Sequence, residues 1–303
     1  MTRMSLERDF LVTWINRLLA ACLVLSLASP VWAETPEATA DLSRLPLAAL
    51  IGESEELGLP TKFLRELPAD FVTVTFEDLH RWAAEYHPEE HRMILNRALS
   101  FNQAAGTLRP LTKMTALEVG NLYHELYHAY MDYLETKPPE PGTESERLLA
   151  AAKELQKCRY AEVKITPVLQ RRTATETRYL SEREAWETQH ETWGVFVGWA
   201  VWTKLELIAS RGKPGLVTEG WLKRLKKADH DAILVGYYEP EDQNERKVAQ
   251  KRYLSPGYRI TPEEMKTIMV LLFGEPADAA DRAAAAVQPA SPKQAPVSPA
   301  CKP

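Results

Sequence analysis

Between about residues 41 and 274, apolar positions recur mostly at helical spacing, broken by short polar or proline-rich segments. Two runs depart from that period. Phe71-Val72-Thr73-Val74-Thr75 alternates β-branched residues and predicts a strand, and Arg92–Asn96 predicts a second. Between them Phe76–Tyr86 reads as a short amphipathic helix. Thr115-Ala116-Leu117-Glu118 has the form of a capping box, a hydroxyl for an orphan N–H with a glutamate three residues on that reaches back. A helix is therefore expected from there to about Glu135, ended by Lys137-Pro138-Pro139-Glu140-Pro141-Gly142. Two more helices are expected, Glu144 to about Val163 and about Thr175 to Ile208. The second carries Trp186, Trp193, Trp199 and Trp202 on related faces, as in a packed core. Gly236–Lys251 reads as a charged, tyrosine-containing loop, and Pro262–Phe273 as a last amphipathic helix. No fixed-period repeat is present. The pattern predicts a single domain, mainly α with a small β-sheet (α+β).

The two ends have a different character. Arg3, Arg8 and Arg17 precede the apolar run Leu18–Ala28, and Pro30-Val31-Trp32-Ala33 offers a small-residue cleavage site. The run is too short for a spanning helix, which needs about 20 apolar residues. Residues 1–33 are thus expected to be a signal peptide cleaved near Ala33, sending the chain to the periplasm or outside the cell, with no stable membrane span afterwards. An uncleaved membrane anchor, or a lipoprotein processed at Cys22, is the minor alternative. The mature domain would span 34–274. Residues 275–303 are biased to alanine and proline, which bury too little surface to offset ordering entropy, so a disordered tail is expected. Cys158 and Cys301 could pair in an oxidising compartment, although Cys301 lies in that tail.

Composition narrows the function. The 37 Lys+Arg and 42 Asp+Glu are scattered, with a formal charge of -5, so nothing favours nucleic acid. Neither a C-x-x-C pair nor a zinc-finger spacing occurs among the 3 cysteines.

The chemistry concentrates in Leu122-Tyr123-His124-Glu125-Leu126-Tyr127-His128, which contains H-E-x-x-H. Residues four apart share a helix face, so His124 and His128 can direct two ring nitrogens at one Zn²⁺ while Glu125 serves as general base. With 7 histidines the chance of such a match is roughly one in a hundred. Met131 and Leu134 stand where the metzincin pattern requires glycine and histidine, which excludes that class. Asp132 lies about 12 Å along the helix from His124, better suited to a supporting or solvent-facing role. A following helix offers Glu182, Glu184 and Glu187 as a third ligand. Glu182 shares a face with Trp186 and Trp193, where a carboxylate needs a compensating charge, and is preferred; a salt bridge to a nearby arginine is its other reading. His190 and His230 are candidate oxyanion stabilisers. His80, His87 and His91 remain unassigned because Pro88 interrupts their helical spacing.

H-E-x-x-H followed by a glutamate on a later helix resembles the gluzincin clan of zinc metallopeptidases. Glu182-Arg183-Glu184-Ala185 is similar to the E-x-x-A motif of its CAAX-prenyl-endopeptidase-like and ImmA/IrrE-like members, with Trp186 where those carry Asp or Asn. The resemblance implies a zincin-like fold, Zn²⁺ held by His124, His128 and Glu182, Glu125 as base, and a peptide or protein substrate. An exported binding or scaffold protein that keeps this fold without turnover is the alternative class. A hydrolase of non-peptide bonds shares the same metal chemistry and is a third.

Overall fold

The computed structural model describes residues 44–103, 107–166, 175–211 and 215–287. The expected signal peptide, its cleavage site and Cys22 lie outside them, as does residue 288 onward. Cys158 is disulfide-bonded.

The architecture is mainly helical with small sheets. Helices α1 (Leu47–Glu56) and α2 (Lys62–Glu66) lead into a three-stranded sheet of β1 (Thr73–Glu77), β2 (Ala84–His87) and β3 (Arg92–Asn96). The order is β1-β3-β2, with β1 parallel and β2 antiparallel to the central β3. Four of the five β3 residues are buried, which explains why its apolar run was readable. The helix expected over Phe76–Tyr86 is not formed. Phe76 and Glu77 instead continue β1 opposite Leu95 and Asn96, and Ala84–His87 form the edge strand β2. Pairing with a buried central strand prevails over the local period. A small hairpin of β4 (Asn102–Gln103) and β5 (Thr107–Leu108) follows.

Helix α3 (Ala116–Thr136) begins with the expected capping box. Glu118 N donates to Thr115 Oγ1 at 3.2 Å, and Thr115 N donates to Glu118 Oε2 at 2.7 Å. Helix α4 (Glu144–Lys157) stops short of the expected end, because Glu162–Ile165 (β6) pairs with Glu176–Tyr179 (β7). The long helix α5 therefore starts at Glu182 and runs to Arg211. Its start carries a second reciprocal cap: Glu184 N donates to Ser181 Oγ and Ser181 N to Glu184 Oε2, both at 3.1 Å. Trp193 and Trp199 are core residues, as expected.

After α6 (Glu219–His230), the region expected to be a loop holds β8 (Tyr237–Tyr238), α7 (Gln243–Val248) and β9 (Arg252–Tyr253), with β8 and β9 paired antiparallel. Helix α8 (Pro262–Thr267) continues as a π-helical turn over Ile268–Leu272, covering the expected last helix. Disorder was expected from about Glu275. Instead, α9 (Ala277–Ala284) buries Ala279, Ala280 and Ala283 against α8, and Lys266 pairs with Asp281. A stripe of small side chains lets that helix approach closely, which composition alone does not convey. Among the described residues no helix is long and apolar enough to cross a membrane.

The pairing of α3 with α5 is the most extensive between helices. Glycine sets its distance. A Cβ at Gly120 would lie 2.8 Å from the Gly198 carbonyl oxygen, and one at Gly198 2.9 Å from that of Gly120. Gly198→Ala must therefore push the two backbones apart, at an expected cost of about 1–3 kcal/mol, or roughly 3–10 °C in Tm. Gly52→Ala in α1 meets nothing within 4 Å and should stabilise by up to about 1 kcal/mol. Thermal unfolding of the two variants tests the seam: an unchanged Tm for Gly198→Ala would mean that the helices do not approach this closely.

Candidate metal centre

The glycine seam brings α5 against the face of α3 that carries His124 and His128. Gly194 is part of this fit, since a Cβ there would lie 2.9–3.1 Å from three atoms of the His124 ring. One turn of space is thereby left for an imidazole between two closely packed helices. The residue that faces it from α5 is Glu191. His124 Nε2 lies 2.9 Å from His128 Nε2 and 3.2 Å from Glu191 Oε2, and His128 Nε2 lies 3.5 Å from Glu191 Oε1.

His124, His128 and Glu191 thus form a group that could hold a metal ion. Bonds of about 2.0–2.2 Å at tetrahedral angles separate neighbouring ligand atoms by about 3.3–3.5 Å, which the observed triangle approximates. Glu191 Oε2 is buried, and its nearest polar neighbour among these groups is the His124 ring nitrogen.

The group that comes together contains Glu191 and not the expected Glu182. Glu182 is the exposed first residue of α5, and nine residues of helix put it about 13 Å along the axis from Glu191. Glu184 caps α5 and accepts from Glu241 N, while Glu187 accepts from Glu239 N at 2.9 Å. Neither belongs to the ligand group. The preference for Glu182 assumed an apolar stripe facing the site, but the middle of α5 is buried nearly all round. The readable signal was different: Gly194 and Gly198, three and seven residues after Glu191, mark the face where another backbone comes close.

Electrostatics follow from this crowding. Burial pushes Glu125 up to about 7, reinforced by the negative charge of Glu191 and opposed by His124 and Lys251. Burial also raises Glu191, but the positive charges of His128 and His124 and the His124 hydrogen bond hold it down to about 2. For His124, burial lowers the pKa while Glu191 outweighs it, so the net shift is upward. His128 is lowered by burial, with His124 acting in the same direction, to about 4. Glu187 rises to about 8 through burial and the charge of Glu191.

Neither histidine expected to stabilise an oxyanion fits that role. His190 is 1% exposed and stacked on Trp186 at 4.1 Å, with its ring parallel to that of His128 at 6.2 Å. It lies behind the His128 ring and is shut off from solvent. His230 is exposed on the last turn of α6 and contacts Asp231. His80 is exposed as well, and His87 closes β2. His91 instead contacts buried Asp132 through Nδ1 at 2.7 Å, and Tyr86 Oη donates to the same carboxylate at 2.6 Å. Asp132 therefore supports the site by tying edge strand β2 to the H-E-x-x-H helix.

A better donor comes from the segment read as a loop. Gly236 lies so close to α5 that a Cβ would sit 2.6 Å from Thr192 N, and this contact delivers Tyr237 beside Glu191. Burial, the charges of Glu191 and Glu125, and hydrogen bonding to Glu191 hold the Tyr237 phenol well above its ordinary value. Its hydroxyl thus keeps its proton beside the His124–His128–Glu191 group. Compared with protein-family models, curated proteins and solved structures, the chain finds no match.

Proposed function

We propose that this chain is an exported zinc-dependent peptidase of gluzincin type, with a zincin-like architecture and residues 1–33 removed on export. The observation that carries the reading is the His124–His128–Glu191 triangle with Glu125 buried beside it. Two imidazoles and one carboxylate suit Zn²⁺, with a fourth position left for water or substrate. Holding a metal needs only the three ligands; the adjacent carboxylate is what hydrolysis adds.

Zinc supplies a Lewis acid that polarises a carbonyl and makes water acidic near neutral pH. Glu125 accepts the proton as water attacks the carbonyl carbon, then returns it to the leaving nitrogen as the C–N bond breaks. The Tyr237 hydroxyl donates to the oxygen on which negative charge develops. Peptide or protein is the substrate class, and no nucleic-acid role is proposed.

Metal content and peptide-library cleavage by the full exported chain test this. Near-stoichiometric zinc, with cleavage lost to a chelator and restored by Zn²⁺, is expected. Zinc without cleavage would move the reading to a binding or scaffold protein, and cleavage confined to non-peptide esters would reassign the substrate. A chain that takes up no zinc would remove the metal centre altogether.

A further inference from the structure

Lys251 is a cation beside this site, yet it makes no ion pair with Glu191 or Glu125. Its Nζ lies 3.9 Å from the ring centroid of Trp82, 3.9 Å from that of Tyr237 and 2.7 Å from Tyr237 Oη. Its positive charge is felt by His124, Glu125, His128 and Glu191. Two aromatic faces hold the ammonium in place.

Both sides of this clamp are anchored. Trp82 precedes edge strand β2, and its carbonyl accepts from the side chain of buried Asn96 at 2.7 Å. On the other side, Tyr237 pairs with Tyr253 across β8 and β9, and Lys251 enters β9 directly. The clamp therefore joins the sheet beside α3 to the strand pair beside α5.

Hydrogen-bond chemistry then gives it a direction. An ammonium has donors only, so Tyr237 Oη must be the acceptor of the 2.7 Å contact. The single phenolic proton is left to point elsewhere, and the carboxylate it faces is that of Glu191.

We infer that Lys251 is a positioning residue, which Trp82 holds in place so that the Tyr237 hydroxyl donates toward the His124–His128–Glu191 group. The inference rests on the hydrolase reading for its purpose and on the clamp for its geometry. A lysine that merely braced two loops would change overall stability without discriminating between ligands that differ at the oxyanion.

The test compares the full chain with Lys251→Met, Lys251→Arg, Tyr237→Phe and the double variant Lys251→Met/Tyr237→Phe, each loaded with zinc. Two probes are titrated by calorimetry: a phosphinic peptide, whose tetrahedral anion imitates the developing oxyanion, and acetohydroxamate, which binds through the metal. Lys251→Met is expected to weaken the phosphinic peptide by about tenfold or more and acetohydroxamate by less than about twofold. The double variant should bind no more weakly than Tyr237→Phe alone, and Lys251→Arg should restore part of the loss. Losses that multiply in the double variant, or equal weakening of both probes, would overturn the inference.

If the wild type takes up no zinc, the hydrolase reading fails separately. Crystal structures of the metal-free wild type and Lys251→Met then decide the positioning role. A Tyr237 ring that turns away from Glu191 in the variant supports it, and a ring that stays in place overturns it.

Discussion

Glu191→Ala is expected to strip the purified chain of zinc, whereas Glu182→Ala leaves occupancy unchanged. The first removes the carboxylate of the three-residue group and leaves two imidazole Nε2 atoms 2.9 Å apart. Losing a partner that only supports a ligand already costs about 10–100-fold in metal affinity, so losing the ligand itself should exceed roughly 100-fold. The second alters an exposed side chain at the end of a helix whose cap comes from Ser181 and Glu184. Elemental analysis after dialysis against a weak chelator reads both. Equal losses, or loss in Glu182→Ala alone, would mean that α5 presents a different face to α3. Acid should mimic the Glu191 variant. The metal-free His124 has a raised pKa because Glu191 holds its proton, and zinc must displace that proton. Below this pKa, zinc affinity should fall by about tenfold per pH unit.

What the sequence revealed, and what it concealed, divides by the distance over which each signal acts. The helix cap at Thr115 and the shared face of His124 and His128 depend on residues within one or two turns, and both are present as expected. The central strand Arg92–Asn96 was legible because burial on both sides makes it an uninterrupted apolar run. The third ligand depends on which way a second helix turns. On α5 nearly every central position is buried, so hydrophobic periodicity has no contrast with which to select a face. The glycine positions held that information, since a helix surface without Cβ atoms is where another backbone can make contact.

The same distinction holds outside the centre. Phe76–Tyr86 has helical spacing, but β1 is fixed by a parallel partner 19 residues away in the chain, as in Thr73 opposite Arg92, and no local pattern reports that. Tyr237 and Lys251 come together only because β8 pairs with β9 and Gly236 permits the approach to α5. Alanines 279, 280 and 283 looked like low-complexity sequence, yet their small volume is what lets α9 pack. Chemistry set by sequence neighbours was readable, whereas chemistry assembled across elements had to be seen in the fold.

Glu125→Gln should separate metal binding from catalysis and expose what the base costs the fold. The amide keeps the size of the side chain and leaves His124, His128 and Glu191 intact, so zinc should remain near stoichiometric while peptide cleavage falls by about 10²–10⁴-fold. Unchanged cleavage would remove Glu125 as base. The metal-free protein offers an independent readout. Burial raises the Glu125 pKa from 4.5 to about 7, so between those values the folded chain binds more protons than the unfolded one. Stability from this group is then complete below about pH 4.5 and lost as pH rises through about 7, a difference of about 3 kcal/mol. Glutamine carries no charge to bury at any pH. Metal-free Glu125→Gln should therefore match the wild type near pH 4.5 and exceed its stability at pH 8, and zinc should narrow that gap by compensating the carboxylate. Denaturant unfolding at the two pH values, with and without Zn²⁺, measures it. A constant difference across pH would show that Glu125 is solvated rather than held in a dry site, and would remove the electrostatic basis for its role.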